Sequence, residues 1–174
     1  MLEWSDYRKF PATYNLLVNT FVKQYGNSYE AFKLEMVYHE TKKKPIFLSM
    51  LGEDYQNGEL YFYEMSDKGN GIYASYNGQG GLDALIIEVV REKPNSHKFA
   101  MLETLFALGA TSMYDSSNPA MMSPNELQRK IDAVLDGTSA YFDIYTVQNF
   151  YVRIKNMNTD DKYRRIGIFI PAGE

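Results

Sequence analysis

The chain has no cysteine and only two histidines, His39 and His97, among its 174 residues. Thiolate nucleophiles, cysteine metal sites and disulfides are therefore excluded, and a metal centre built on several imidazoles has too few ligands to draw on. No apolar run approaches the roughly 18 residues that span a bilayer. The start, Met1-Leu2-Glu3-Trp4-Ser5-Asp6, lacks the basic-then-apolar order of a secretory signal. These absences lead us to expect a soluble, cytoplasmic protein. No phosphate-binding glycine pattern is present either: Gly78-Gln79-Gly80-Gly81 is neither GxGxxG nor a P-loop. Gly71-Ile72-Tyr73 has the first triplet of GIY-YIG nucleases, but the second triplet and the helix arginine are misplaced. Asp160-Asp161-Lys162 reads as turn residues. No catalytic, cofactor-binding or metal-binding residue is assigned, and no cofactor is expected.

What is abundant is tyrosine. Fifteen Tyr and ten Phe stand beside a single Trp. Tyrosine offers a large rigid ring with a polar tip, and it is enriched where proteins touch partners. The net charge of −4 is unevenly spread: residues 1–50 carry +2, residues 51–120 carry −6 and residues 121–174 are neutral. An acidic middle suits a partner with a basic surface.

The local patterns predict an α+β fold, with antiparallel strands near both ends, an N-terminal helix and a central group of helices. Pro11 and the recurrence of Tyr14, Leu17, Val18, Phe21, Val22 and Tyr25 predict a helix over 11–25, stopped by Gly26. Strands are expected from about 32 to 40, at 46–51, at 59–65 and at 72–76, joined by short turns as an antiparallel meander. After the glycine-rich break, Leu82, Leu85, Ile86, Val89 and Val90 have helical spacing, and a second helix is expected over 97–108. Ser123-Pro124-Asn125-Glu126 is a capping box that opens a third helix, running to about Leu135. Strands at about 140–147, 149–156 and 162–170 close the chain. One domain covers 1–174, with 78–81 and 115–119 as the candidate internal boundaries.

Two candidate surfaces follow. If Leu60 and Phe62 face the core, then Tyr61 and Tyr63 lie outside with Asp54, Glu59, Glu64 and Tyr73 as an acidic-aromatic protein interface. The opposite assignment, with the tyrosines covering a helix, fits the alternation nearly as well. The second surface is on the C-terminal hairpin, where Tyr151, Arg153, Lys155, Tyr163 and Arg165 share one face suited to single-stranded nucleic acid. The expected function is binding of a basic protein, in the manner of phage-type defence inhibitors or immunity proteins that block a nuclease or toxin. Nucleic-acid binding through the hairpin is the alternative, and a small metal-dependent hydrolase is a weaker one. Self-association through an aromatic face stays open, and no membrane partner is expected.

Overall fold

A computed structural model describes residues 6–41, 58–77, 81–90, 124–145, 151–157 and 162–169. Helix α1 spans Phe10–Tyr25. Phe10, Tyr14 and Val18, each one turn apart, make its fully buried stripe. Gly26 ends it at φ 115°, a conformation L side chains rarely adopt, and its N–H reaches back to the Val22 carbonyl. A short 3-10 helix, Asn27–Phe32, follows. Its three-residue period places Tyr29 and Phe32 on the buried side. The strand expected from 32 is thus only partly present, since Phe32 closes this helix and the strand β1 is His39–Thr41 alone. The expected partner strand at 46–51 lies outside the described residues.

The remaining strands are β2 (Glu59–Glu64), β3 (Gly71–Tyr76), β4 (Leu82–Val90), β5 (Tyr141–Tyr145), β6 (Tyr151–Asn156) and β7 (Tyr163–Phe169). They form one antiparallel sheet in the order β1-β2-β3-β4-β7-β6-β5. Strands from both ends of the chain therefore meet at the β4–β7 pair in the middle. Helix α2, Pro124–Leu135, begins at the proline that the capping box marks.

The central group of helices needs correction. Residues 82–90 are strand β4, not a helix. A fully buried strand has apolar residues on both faces, so its pattern can mimic a helical stripe. Here Ala84 through Val89 are all buried, and β3 and β7 flank the strand. The β-branched Ile86, Ile87, Val89 and Val90 favour the pleated conformation. The expected helix at 97–108 lies outside the described residues, which leaves α2 as the described helix of that group. The strands either side of the glycine-rich break pair as a hairpin: Asn77 N–H donates to the Gly81 carbonyl, and Gly81 N–H donates to Asn77 Oδ1.

Register fixes two faces. One row crosses all seven strands through Phe142, Ile154, Ile168, Leu85, Ala74, Tyr61 and Glu40. This face carries the main core, and both long helices contribute to it: Phe10, Tyr14 and Val18 from α1, Ile131 and Val134 from α2. Asn156 Nδ2 donates to the Val134 carbonyl at 2.7 Å, pinning the end of α2 to β6. The second face holds a smaller buried cluster of Leu60, Ala84, Ile86, Met157 and Phe169. Gly71 opens β3 on that face, where any Cβ would collide with the Phe62 ring. Asn70, before it, accepts from Val90 N–H at 2.8 Å and locks the β2–β3 turn to the end of β4.

The β1 edge is irregular. Leu34 bridges Met65, and His39 pairs with Phe62. Five steps along the edge therefore match three along β2, and the surplus residues bulge outward. Met36 and Val37 sit in this bulge, at 65% and 57% exposure.

Candidate protein interface

Tyrosines dominate the end of the main face near β1. Tyr61 and Tyr63 are buried, so the exposed acidic-aromatic patch is not what forms. The physical reason lies in α1, whose aromatic stripe needs a flat, ring-rich partner. Phe10 stacks on Tyr63 with centroids 4.7 Å apart, and the Tyr63 hydroxyl donates to the Tyr7 carbonyl at 2.7 Å. Burial of these rings is thus compatible with their polar tips. Tyr7 lies flat on Tyr61 at 4.2 Å, and Tyr38 meets Tyr7 edge-on at 5.1 Å. Tyr76 closes the group, edge-on to Tyr61 at 5.8 Å.

Tyr73 belongs elsewhere. It is the register partner of Phe62 and packs on that ring at 4.7 Å, on the second face. Glu64 is half-buried and lies 3.7 Å from Lys68, which also pairs with Glu35. Asp54 lies outside the described residues. Among the described members of the expected set, Glu59 alone stands exposed at the tyrosine cluster, where it accepts a hydrogen bond from the Tyr61 hydroxyl.

Glu40 joins it. Register sets Glu40 beside Tyr61, and it too is exposed. Burial pushes the Tyr61 hydroxyl well above the ordinary phenol range; its hydrogen bond to Glu59 and the Glu59 and Glu40 charges add to the shift. Two exposed carboxylates thus stand at this end of the packed aromatic cluster, one of them bonded to the Tyr61 hydroxyl. Neither Glu40, Tyr7 nor Tyr38 is marked by any sequence motif. The available signal was weak: Tyr38 and Glu40 alternate as strand residues, but their partners are set by a register with β2.

The tyrosines of the two faces give an expected alkaline response. Burial raises Tyr63 and Tyr76 far above the normal range and lifts Tyr73 to about 12. The unfolded chain ionises these groups near 10 while the folded chain keeps them neutral. Stability from this source is therefore complete below about pH 10 and declines as pH climbs toward the folded values. Melting temperature is expected to hold up to about pH 10 and fall steeply by about 12, with tyrosinate absorbance appearing together with unfolding. Tyrosinate appearing in full near pH 10 on a protein that stays folded would contradict the burial.

The C-terminal face is assembled as expected but is largely neutralised. Arg153, Lys155, Tyr163 and Arg165 do share the second face. Arg153 makes a two-bond pair with Asp143 at 2.8 and 3.1 Å and lies 4.3 Å from the Tyr141 ring. Arg165 is buried and bonds Glu88 at 2.6 Å. Lys155 reaches the Phe169 ring at 5.5 Å. The Tyr151 side chain is outside the described residues. A phosphate backbone would have to compete with carboxylates already in place for both arginines.

Among the described residues no three acidic or imidazole groups gather as a metal site, and no helix is long and apolar enough to cross a membrane. Compared with family models, curated proteins and solved structures, the chain finds no match.

Proposed function

We propose that this protein acts in the cytoplasm by binding another protein, one with a basic surface, at the Glu40–Glu59 end of the sheet. The observation that carries this reading is the pair of exposed carboxylates at this end, with Glu59 hydrogen-bonded to the Tyr61 hydroxyl and Glu40 opposite Tyr61 in the β1–β2 register. A lysine or arginine from a partner would find two negative charges above aromatic rings that are already packed and lose little freedom on binding. Basic surfaces of this kind belong to proteins that handle nucleic acid. The most specific form of the proposal is therefore an inhibitor of a nuclease, toxin or other nucleic-acid-binding protein.

Capture from nuclease-treated lysate with the tagged chain tests it. A retained protein is expected, and the Glu40→Lys/Glu59→Lys variant should associate with it about tenfold more slowly at low salt. The difference should shrink as salt screens the charges. Association that ignores both the reversal and the salt would remove this end from the interface. Retention lost on nuclease treatment would move the site to Lys155 and Tyr163 on the other face.

A further inference from the structure

Tyr61 combines three features that favour loss of an electron. Its ring lies flat against the Tyr7 ring, with centroids 4.2 Å apart and planes within 3° of parallel. The negative face of one ring meets the other, so a positive charge developing on Tyr61 is stabilised by Tyr7. The Tyr61 hydroxyl donates to the Glu59 carboxylate, which puts a base at the proton that must leave. Among the described residues neither Glu59 nor Glu40, opposite Tyr61 in the register, forms an ion pair, so the field at the ring is negative. Tyr63 shows the contrast. It is as deeply buried and stacks on Phe10, but its hydroxyl donates to the Tyr7 carbonyl, which cannot carry a proton away.

The same surroundings set the route. Burial and the two carboxylates disfavour the phenolate and keep the Tyr61 hydroxyl protonated well above the ordinary phenol range. A phenoxyl radical carries no charge and meets no such penalty. The proton therefore leaves in company with an electron. We propose that Tyr61 is a redox-active tyrosine, oxidised reversibly by an outer-sphere one-electron oxidant while Glu59 takes its proton. One electron passes to the oxidant, the phenolic O–H bond breaks and the proton moves to Glu59 Oε2. The phenol, the carboxylate and the oxidant thus become the neutral phenoxyl radical, the carboxylic acid and the reduced oxidant. Re-reduction returns the proton along the same hydrogen bond. Tyr38 supplies the path to the surface: it is 37% exposed, and its ring lies edge-on to Tyr7 at 5.1 Å and to Tyr61 at 5.7 Å. The missing electron settles on Tyr61 because that ring has the base. Tyr61 is 3% exposed, so its radical is shielded from coupling with a second chain.

Photogenerated tris(bipyridine)ruthenium(III) serves as the oxidant in the test, read by electron paramagnetic resonance after freeze-quenching and by dityrosine fluorescence. The wild-type chain should give a tyrosyl signal and little dityrosine. Tyr61→Phe keeps the ring stack and should remove most of that signal. Glu59→Gln, at the exposed start of β2, should lower the yield about tenfold, the factor carried by a hydrogen bond to a charged group. Oxidation then stays on exposed rings such as Tyr38 and Tyr141, and dityrosine should rise. Tyr63→Phe controls for disturbance of the cluster and should keep the wild-type signal, with circular dichroism checking the fold of each variant. A wild-type chain without a tyrosyl signal overturns the proposal. So does a signal that survives Tyr61→Phe or Glu59→Gln, or one that Tyr63→Phe removes equally. No protein partner enters the measurement, so this proposal and the acidic-end reading fail separately.

Discussion

Tyr63→Ala is expected to lower the unfolding free energy by about 3–5 kcal/mol, among the largest losses available to a single substitution here. Tyr63 is fully buried at the junction of β2 and α1, where it stacks on Phe10 and donates its hydroxyl to the Tyr7 carbonyl. Truncation removes the ring from the centre of the helix-sheet contact. It also leaves a void that the stiff aromatic neighbours fill poorly. Tyr63→Phe separates the two contributions. It keeps the ring and loses only the hydrogen bond, at a cost of about 1–2 kcal/mol. Urea unfolding reads both as midpoint shifts at constant slope. A shift for Tyr63→Ala no larger than that for Tyr63→Phe would mean that the ring is not what holds α1 to the sheet.

That result bears on how much of the fold could be read from sequence. Helix α1 was legible because Pro11, a stripe at three- and four-residue spacing and Gly26 all give the same answer. Helix α2 was legible because a serine, a proline and a glutamate occupy the three positions a helix start needs. The last two strands showed clear alternation, and Ile154, Ile166 and Ile168 reach the main core as that alternation places them. Strand β4 was not legible. Buried on both faces, it has no polar side to reveal a period of two, and its apolar residues also satisfy a period of 3.6.

The candidate site was lost at the same kind of step. Alternation in Glu59–Glu64 separates Tyr61 and Tyr63 from Leu60 and Phe62, but it does not say which set meets a helix. Both sets are apolar enough to be core, and both are largely buried, one beneath α1 and the other on the second face. Glu59 is exposed although its face-mates Tyr61 and Tyr63 are buried, because it begins the strand. Glu40 and Tyr7 were missed because nothing local ties them to Tyr61. Only the β1–β2 register and the stacking of Tyr7 on Tyr61 bring them together.

The Arg165–Glu88 pair shows the cost of misreading β4 most directly. The two residues are 77 positions apart and become cross-strand partners only when β4 lies beside β7. Arg165 is 6% exposed and Glu88 9%, and the guanidinium lies 4.8 Å from the Tyr163 ring. Glu88→Ala is expected to cost about 3–5 kcal/mol, because it strands a buried cation without its carboxylate. Arg165→Met should cost a similar amount by stranding the carboxylate. The double variant Glu88→Leu/Arg165→Met removes both charges and keeps apolar volume at both positions. It is expected to recover to within about 1 kcal/mol of the wild type, since the Coulomb attraction of a buried pair is largely offset by its desolvation. Chemical denaturation of all four proteins closes the cycle and isolates the coupling between the two side chains. Single variants as stable as the wild type would mean that water reaches the pair. Additive losses in the double variant would mean that each side chain is held by its surroundings more than by the other. Strong coupling with a recovered double variant would mean that each charge is tolerated only opposite the other: a one-residue slip between β4 and β7 would turn one of them toward the main core.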